Sequence, residues 1–412
     1  MESIGIAARR AARALASLSD TQKNTALGEM AKAIRAHQSA IQKANDDDVS
    51  LAISKKISDA FLDRLTLNAA RIEAMAHGLE AIAALPNPLG KVLSHSERPN
   101  GLRIDRVSVP IGVIGVIYES RPNVTVDAAG LCLKSGNAVI LRGGSDSFHS
   151  ATAIMKALQE GLRYANAPLE AVQMIATADR AAVDEMLAMD KYIDVIIPRG
   201  GPKLIEYITQ KTRIPVFKHL AGMCHTYIHA SADKEMARKI VLNAKMRRTG
   251  ICGATEVLLV DRAVKNSILQ DVIEDLVCAG CEVRGEAEIQ ALNAAIKLAS
   301  DNDFDTEFLD SIISVKLVSD VAQAIEHIAK HGTQHTDAII TQDPLIAARF
   351  LNEVDSAIVM HNASTQFADG GEFGMGAEIG IATGKLHARG PVGVDQLTTF
   401  KYQIHGQGQI RK

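Results

Sequence analysis

The sequence predicts an α/β protein built on two doubly wound parallel sheets. Short apolar runs recur along the chain, and the run at residues 111–118 is typical of a strand that is buried on both faces. Segments with helical periodicity separate these runs, and such an alternation predicts a parallel sheet covered by helices. The alternation begins again near residue 256. We therefore expect two lobes, joined near residue 230, with a ligand site in the cleft between them.

The composition is that of a globular protein. The chain has 412 residues, of which 47% are hydrophobic and 23% are charged, and this length predicts two or three domains. With 45 basic and 48 acidic residues the net charge is −3, which argues against nucleic-acid and membrane partners. No apolar run approaches the roughly 18 residues of a membrane-spanning helix. Five scattered cysteines predict free thiols and a cytoplasmic location.

The first 85 residues have a helical pattern. Apolar residues within 27–34 fall on one helix face, and Ser-Asp-Thr-Gln at 19–22 predicts a capping box before that helix. The run Asn-Asp-Asp-Asp at 45–48 predicts a turn or a new helix start. The segment 86–90, which contains two prolines and a glycine, predicts the end of the helical region.

Strands and helices alternate after this region. The first lobe is predicted to have an exposed strand pair near 102–109 and buried strands at 111–118, 138–141, 172–175, 193–197, 216–217 and 225–228. The second lobe is predicted to have strands at 256–260, 312–318, 337–340 and 356–359, with helices at 263–278 and 320–331. The segment 362–412 is rich in glycine, and we expect it to form an arm that packs on the body or on another subunit. For its part at 370–380, such an arm is at least as good an interpretation as contact with a ligand.

Residues 245–253, Lys-Met-Arg-Arg-Thr-Gly-Ile-Cys-Gly, contain a candidate nucleophile. Three cationic side chains precede Cys252 and favour its thiolate form. Glycines on both sides leave room for a substrate carbonyl, and a thiolate attacks acyl carbons well. The alternative is a small buried apolar cysteine with no chemical role.

The run Tyr-Glu-Ser-Arg-Pro-Asn at 118–123 follows the buried strand, at the end where open α/β sheets bind ligands. The amide of Asn123 is suited to donate a hydrogen bond to a developing oxyanion. Arg121 is suited to pair with a carboxylate or a phosphate. A helix-capping role for Asn123 is an equally good interpretation of the sequence.

Two strand-to-helix turns contain Arg-Gly-Gly, at residues 142–144 and 199–201. Glycines between a strand and a helix N-terminus are typical of anion binding, although each turn alone is also consistent with a plain turn. Two such turns in one sheet favour a cofactor that carries phosphates. Arg142 follows its strand directly and favours NADP over NAD.

No metal site and no serine hydrolase are expected. The pair of cysteines at 278–281 has no second pair or histidine partner, and Gly332 interrupts the histidine spacing at 327, 331 and 335. The sequence also contains no G-x-S-x-G motif.

Long runs of the sequence resemble the gamma-glutamyl phosphate reductase family, also called the glutamate-5-semialdehyde dehydrogenases, of the aldehyde dehydrogenase superfamily. The runs are VPIGVIGVIYESRPNVTVDAAGLCLKSGNAVILRGGS, DVIIPRGG, NAKMRRTGICGATEVLLVD, TEFLDSIISVK, DSAIVMHNAS, DGGEFGMGAEIGIATGKLHARGPVG and LTTFKY. The resemblance covers essentially the whole chain. It implies an aldehyde dehydrogenase-like fold and the NADPH-dependent reduction of L-glutamyl 5-phosphate to L-glutamate 5-semialdehyde, the second step of proline biosynthesis.

The resemblance also implies roles for single residues. Cys252 would be the nucleophile that forms a thioacyl intermediate, and Asn123 would stabilise the oxyanion. The residues that would bind NADPH are Arg142, Gly143, Pro198, Arg199, Gly200, Gly201 and Glu307. Candidates for contact with the substrate carboxylate or phosphate are Arg121, Lys245, Arg247, His335, Thr336, Ser364 and Thr365. Residues 1–230 would form the NADP-binding domain, 231–361 the catalytic domain, and 362–412 an oligomerisation arm that returns to the first domain.

One departure from the superfamily bears on the reaction. Hydrolytic aldehyde dehydrogenases have a general-base Glu in a run E-L-G-G-K, whereas this chain has His-Leu-Ala-Gly-Met at 219–223. The missing Glu predicts a thioester that is spared hydrolysis. An acyl-CoA reductase on the same fold and a non-catalytic scaffold are the alternative functions. A homo-oligomer is expected, and a glutamate 5-kinase is a candidate partner.

Overall fold

The structure is a computed structural model that describes residues 1–57, 59–177, 179, 181–218 and 221–411. The chain divides into two compact units. The first comprises Met1–Lys218, Gly374–Gly380 and Val392–Lys412, and the second comprises His219–Phe373 and Ile381–Pro391. The sequence predicted a division near residue 230, but the structure divides after Lys218. The reason is that the strand at Cys224–Ile228 pairs with strands of the second unit. The predicted roles of the two parts stay predictions.

Helices and strands alternate along most of the chain after residue 110. The first part contains α1 (Glu2–Leu15), α2 (Asp20–Ala36), α3 (Gln38–Ser54), α4 (Asp59–Leu65), α5 (Ala69–Ala84), β1 (Val92–Glu97), β2 (Arg103–Pro110), β3 (Val113–Tyr118), α6 (Val124–Lys134), β4 (Ala138–Gly143), α7 (Phe148–Tyr164), β5 (Val172–Met174), α8 (Ala181–Leu187), β6 (Val195–Arg199) and α9 (Pro202–Lys211). The remainder contains β7 (Cys224–Ile228), α10 (Lys234–Met246), β8 (Thr255–Asp261), α11 (Gln270–Cys278), β9 (Glu282–Gly285), α12 (Ala287–Gln290), β10 (Lys297–Leu298), β11 (Ile312–Val318), α13 (Val321–His331), β12 (Thr336–Ile340), α14 (Pro344–Glu353), β13 (Ile358–His361), β14 (Ile381–Ala382), β15 (Gly390–Pro391) and β16 (Thr398–His405).

The N-terminal helical region is confirmed, and so is the capping box of α2. The predicted interruption at 45–48 is wrong, because α3 runs through it. Asn45 and Asp48 are buried in α3 and bind other elements. The amide of Asn45 donates to the carbonyl of Leu65 over 2.8 Å, and the carboxylate of Asp48 accepts from the backbone N–H of Ser150 over 2.8 Å. Tertiary hydrogen bonds thus satisfy polar groups that would otherwise favour a turn.

The first unit contains a four-stranded parallel sheet in the order β5-β4-β3-β6. Every residue of β3 is buried, as the apolar run predicted. Tyr118, the last residue of β3, pairs in register with Gly143 of β4 and Arg199 of β6. The carboxyl ends of three neighbouring strands therefore lie at one edge of the sheet. The predicted strand at 216–217 is reduced to a single bridge between Val216 and Ile196.

The second unit contains a seven-stranded sheet, all parallel, in the order β10-β9-β11-β8-β7-β12-β13. Successive residues of β8 pack on opposite faces of this sheet. Leu258 and Val260 join a core with α10 and α11, whereas Val257 and Leu259 join a core with α13 and α14. Helices cover both faces, and this confirms the doubly wound arrangement.

A third sheet pairs distant parts of the first unit in the antiparallel order β1-β2-β16. Strand β16 lies in the segment that the sequence predicted to be an arm, and it pairs with β2 from Thr398 with Pro110 to His405 with Arg103. A small hairpin of β14 and β15 belongs to the second unit. Within the described ranges, no helix combines the length and the apolar character that crossing a bilayer requires.

Candidate active site

In the first unit the predicted cofactor residues lie at the carboxyl edge of the four-stranded sheet. Arg142 and Gly143 end β4, and Pro198 and Arg199 end β6. Both strands lead through glycines toward a helix, as the sequence predicted. This edge also fits the rule that open α/β sheets bind ligands outside the carboxyl ends of their strands.

The N-terminus of α9 is shaped for close approach by an anion. Gly201 caps this helix, and a Cβ atom added there would meet no atom within 4 Å. At Gly200 an added Cβ would lie 2.5 Å from Oε2 of Glu119 and 2.6 Å from the side chain of Leu204, so a larger residue would require these side chains to shift. Glu119, which the sequence analysis did not single out, accepts a hydrogen bond of 3.3 Å from the backbone N–H of Gly201. A carboxylate thus binds at this helix N-terminus, where backbone N–H groups suit anions such as a pyrophosphate.

Polar atoms at the same edge are suited to a ligand. Arg142 is 7% exposed, and its guanidinium donates to the carbonyl of Asp179 over 3.2 Å. Nε of Arg199, Oδ2 of Asp146 and Oγ of Ser147 are buried with no hydrogen-bond partner among the described residues. Buried polar atoms in native proteins are normally paired. Nε of Arg199 and Oγ of Ser147 are donors that suit a phosphate, whereas Oδ2 of Asp146 only accepts and suits a ribose hydroxyl, so together they fit a dinucleotide.

Asn123 stands at the start of α6, but its side chain does not cap the helix. Its Nδ2 instead donates to Oδ2 of Asp127, four residues later, over 2.9 Å. The helix-capping alternative for the side chain of Asn123 is therefore wrong. Burial raises the pKa of Asp127 to about 6, although the hydrogen bond from Asn123 and the charge of Arg199 lower it. Arg121 lies half-buried in the same loop.

In the second unit the candidate residues lie near the amino ends of the strands. Cys252 precedes β8, Glu307 precedes β11, His335 precedes β12, and Gly222 precedes β7. Because the seven strands are parallel, these positions belong to one edge of the sheet. Cys252 is half-buried and packs against a cluster of apolar residues, namely Ala338, Ile358, Met360, Ala368 and Ile381.

Two residues hold the backbone beside the candidate nucleophile. A Cβ atom at Gly222 would lie 2.7 Å from both the Cα atom and the carbonyl carbon of Cys252. Glu307 accepts a hydrogen bond of 2.7 Å from the backbone N–H of Gly222. Glu307, which the resemblance assigns to the nicotinamide ribose, is thus brought next to the nucleophile loop. The preceding residues 219 and 220, where the departure from E-L-G-G-K begins, lie outside the described residues.

Cys224 and His335 lie under the same loop. The thiol of Cys224 donates to the carbonyl of Cys252 over 3.0 Å and is 3.7 Å from Nδ1 of His335. Burial raises the pKa of Cys224 well above its ordinary value, which favours the neutral thiol over the reactive thiolate. His335 and Thr336 are fully buried. Their contact with substrate stays a prediction.

Thr365 also lies at the nucleophile loop. The carbonyl oxygen of Thr365 would be 3.0 Å from a Cβ at Gly253, the residue after Cys252. The hydroxyl of Thr365 is 3.0 Å from that of Thr255 and is buried, whereas Ser364 is 5% exposed. The structure therefore brings Thr365 to the nucleophile loop, and contact between Ser364 and substrate stays a prediction.

Lys245 and Arg247 occupy different environments. Lys245 has no exposed surface, and its ammonium group is 2.6 Å from the buried carboxylate of Glu256. This burial counts against direct contact between Lys245 and a substrate. Arg247 is exposed, and its guanidinium is 3.4 Å from the side chain of Gln366. Gln366, which the sequence analysis missed, also donates to the carbonyl of Ala244 over 2.9 Å and ties the end of α10 to this loop.

No group of three or more His, Cys, Asp or Glu side chains with the arrangement of a metal site occurs in the part of the chain that the structure describes. The histidines that the sequence singled out are used otherwise. His327 is largely buried against Phe304, and burial lowers its pKa to about 3.

Comparisons with known proteins identify the family of the chain and agree with its fold. The sequence profile of the aldehyde dehydrogenase family matches residues 1–284. The chain is 58% identical to the gamma-glutamyl phosphate reductase of Rhodospirillum rubrum and 59% identical to that of Paramagnetospirillum magneticum, covering 100% of this chain and 96% and 97% of those proteins. The crystal structure of the gamma-glutamyl phosphate reductase from Thermotoga maritima is 41% identical with a TM-score of 0.96, covering 100% of this chain and 99% of that chain.

The two parallel sheets, the glycine turns and the cysteine loop define an oxidoreductase of the aldehyde dehydrogenase class, which uses a nicotinamide cofactor. The chain belongs to the aldehyde dehydrogenase family and, within it, to the gamma-glutamyl phosphate reductases.

Proposed function

We propose that the protein reduces L-glutamyl 5-phosphate to L-glutamate 5-semialdehyde and phosphate with NADPH, the second step of proline biosynthesis. The observation that carries this proposal is the 58% identity, over the whole chain, to a protein named for this activity. The cysteine loop supplies the type of nucleophile that acyl transfer requires.

The thiolate of Cys252 attacks the acyl carbon of the substrate. The side-chain amide of Asn123 donates a hydrogen bond to the oxygen of that carbon while it carries negative charge. The carbon–oxygen bond to phosphate then breaks, and phosphate leaves with the electron pair, so that a thioester remains on Cys252. When bound, NADPH supplies the hydride that reduces this thioester. The resulting thiohemiacetal collapses, because its oxygen re-forms the carbonyl and expels the thiolate of Cys252.

Gly222 and Glu307 hold the nucleophile loop, and the general-base Glu of hydrolytic relatives is missing from the run at 219–223. The carbonyl and Cα of Cys252 rest against Gly222, and Glu307 fixes Gly222. The Glu that activates water in hydrolytic relatives is replaced by His219. The thioester is therefore expected to wait for reduction and not to hydrolyse.

Cofactor preference is proposed to rest on Arg142. This side chain follows β4 and carries a permanent positive charge, which suits the 2′-phosphate of NADP. The turn at Pro198, Arg199, Gly200 and Gly201 would receive the pyrophosphate, and Gly143 would let the cofactor approach β4.

We also propose an oligomeric state, a cellular location and a partner for the enzyme. A homo-oligomer is supported by the sheet β1-β2-β16, on which Phe400, Tyr402 and Ile404 are 45%, 62% and 60% exposed. A cytoplasmic location is supported by five free cysteines. A glutamate 5-kinase is the proposed partner, because an acyl phosphate hydrolyses readily in water.

The first test is the reverse reaction, followed by absorbance of the reduced nicotinamide. Purified protein is given glutamate semialdehyde and NADP, with and without phosphate. NADPH formation that requires phosphate supports the proposal. Formation without phosphate indicates a hydrolytic dehydrogenase, and no formation together with turnover of an acyl-CoA indicates an acyl-CoA reductase.

A variant tests the nucleophile in the same assay. Cys252→Ala is expected to abolish turnover while NADPH binding, measured by fluorescence titration, is retained. Cys278→Ala is the matched control, because Cys278 is an exposed free thiol. Turnover by Cys252→Ala would refute the assigned role.

A further inference from the structure

We propose that Asp127 is a positioning residue for Asn123: its carboxylate selects the orientation of the Asn123 amide in which an N–H group, and not the carbonyl, is presented to the substrate oxygen. The inference rests on the proposed function, in which Asn123 stabilises the oxyanion. Asp127 acts through Asn123 and not by contact with substrate.

The contact that carries the inference is a single hydrogen bond. Nδ2 of Asn123 donates to Oδ2 of Asp127 over 2.9 Å. The two residues are four apart at the start of α6, so their side chains lie on one face of the helix. The side chain of Asn123 makes no capping bond that would compete for its amide.

The chemistry of the two groups explains the selection. An ionised carboxylate only accepts hydrogen bonds, whereas the two ends of a primary amide differ, one being a carbonyl oxygen and the other an NH₂ group. A flipped Asn123 would bring its carbonyl oxygen against the carboxylate of Asp127, and two acceptors repel each other. The ionised form therefore engages one N–H of Asn123 and leaves its second N–H for an oxyanion.

The charge state of Asp127 decides whether this selection operates. Protonated Asp127 is a donor as well as an acceptor, and it tolerates either orientation of the amide. Among the described residues, the charged group that acts on Asp127 is Arg199, at the end of β6. Burial raises the pKa of Asp127. The hydrogen bond from Asn123 and the charge of Arg199 lower it by a smaller amount, and the resulting pKa is about 6. The orientation of Asn123 is therefore expected to be lost as the pH falls through about 6.

The kinetic test compares Asp127→Asn, Asp127→Leu and wild type in the phosphate-dependent assay. We expect kcat to fall about tenfold in Asp127→Asn, which can both donate and accept, and further in Asp127→Leu, while KM for the semialdehyde changes less than twofold. The acid limb of the kcat profile near pH 6 should disappear in both variants. Asp184→Asn, at another carboxylate in the first turn of a helix, is the control and should match wild type.

A double variant separates positioning from a general structural effect. If Asp127 acts through Asn123, Asn123→Ala/Asp127→Leu should be no slower than Asn123→Ala alone. Additive losses, or an unchanged kcat and pH profile in Asp127→Leu, would overturn the inference. A neutron crystal structure of Asp127→Leu, in which Nδ2 and Oδ1 of Asn123 can be told apart, decides the geometry without turnover: a flipped Asn123 amide supports the inference, and an unchanged one contradicts it. Failure of the proposed function is distinct, because wild type would then show no phosphate-dependent activity.

Discussion

Gly222 lies directly against the backbone of Cys252. A Cβ atom at this position would be 2.7 Å from both the Cα atom and the carbonyl carbon of Cys252, which is far inside contact distance. The backbone N–H of Gly222 is bound by Glu307, so Gly222 cannot retreat without losing that hydrogen bond of 2.7 Å. The position of Cys252 therefore depends on residue 222 being a glycine.

Gly222→Ala is expected to lower kcat by tenfold or more, because displacement of a nucleophile by about 1 Å has effects of up to about a hundredfold. Glu307 should lose its bond to residue 222 in the same variant. Gly78→Ala is the control: Gly78 lies in α5, and an added Cβ meets nothing within 4 Å. This control should keep full activity and gain up to about 1 kcal/mol of stability. Steady-state kinetics and urea unfolding measure both effects, and a fully active Gly222→Ala would contradict the geometry.

The buried ion pair of Lys245 and Glu256 predicts a large stability effect. Both side chains have no exposed surface, and burial raises the pKa of Glu256 while the charge of Lys245 lowers it. Lys245→Met leaves a buried carboxylate without its partner and is expected to cost about 3–5 kcal/mol in the free energy of unfolding. Lys239→Met, an exposed lysine on the same helix, should change it by less than about 0.5 kcal/mol.

Urea denaturation measures these differences. The double variant Lys245→Met/Glu256→Leu should recover much of the stability that the single variant loses, because no uncompensated charge remains. A Lys245→Met protein as stable as wild type would show that the pair is not buried in solution.

The cysteines predict a selective alkylation pattern. Burial raises the pKa of Cys281 to about 12 and raises those of Cys132 and Cys224 as well, so these three thiols should resist iodoacetamide at pH 8. Cys252 is half-buried and Cys278 is exposed, and both should react. Peptide mass spectrometry identifies the modified sites.

Alkylation should inactivate wild type and Cys278→Ala at the same rate, because inactivation follows modification of Cys252. Bound NADP should not be needed for labelling. Inactivation that tracks modification of Cys224 would contradict the burial of its side chain.

The exposed apolar strand β16 predicts an effect on assembly. Side chains two residues apart along a strand lie on one face, so Phe400, Tyr402 and Ile404 form a continuous exposed stripe. Tyr402→Glu is expected to shift the protein to a smaller species in size-exclusion chromatography with light scattering. Tyr164→Glu is the control, because Tyr164 is 67% exposed on α7 and lies outside the sheet. An unchanged mass for Tyr402→Glu would place the subunit interface elsewhere.

The local sequence was enough to predict most elements and the cofactor turns. The apolar run of β3, the capping box at Ser19 and the two Arg-Gly-Gly turns depend on neighbouring residues, and each was found where the sequence predicted it. The acidic interruption of α3 failed for the opposite reason. Asn45 and Asp48 are satisfied by residues distant in the chain, Asp48 by Ser150, and local propensity contains no information about such partners.

At the nucleophile, too, some features follow from the local sequence and others only from tertiary contacts. The sequence alone determined the residue types near Cys252 and, through the family resemblance, their roles. Only the tertiary structure decided that the second unit gathers them at the amino edge of its sheet, that Lys245 is buried against Glu256, and that Asn123 binds Asp127 and does not cap α6. The physical reason is that strand order, burial and hydrogen-bond partners arise from contacts between residues far apart in the chain, whereas helix, strand and turn propensities are local.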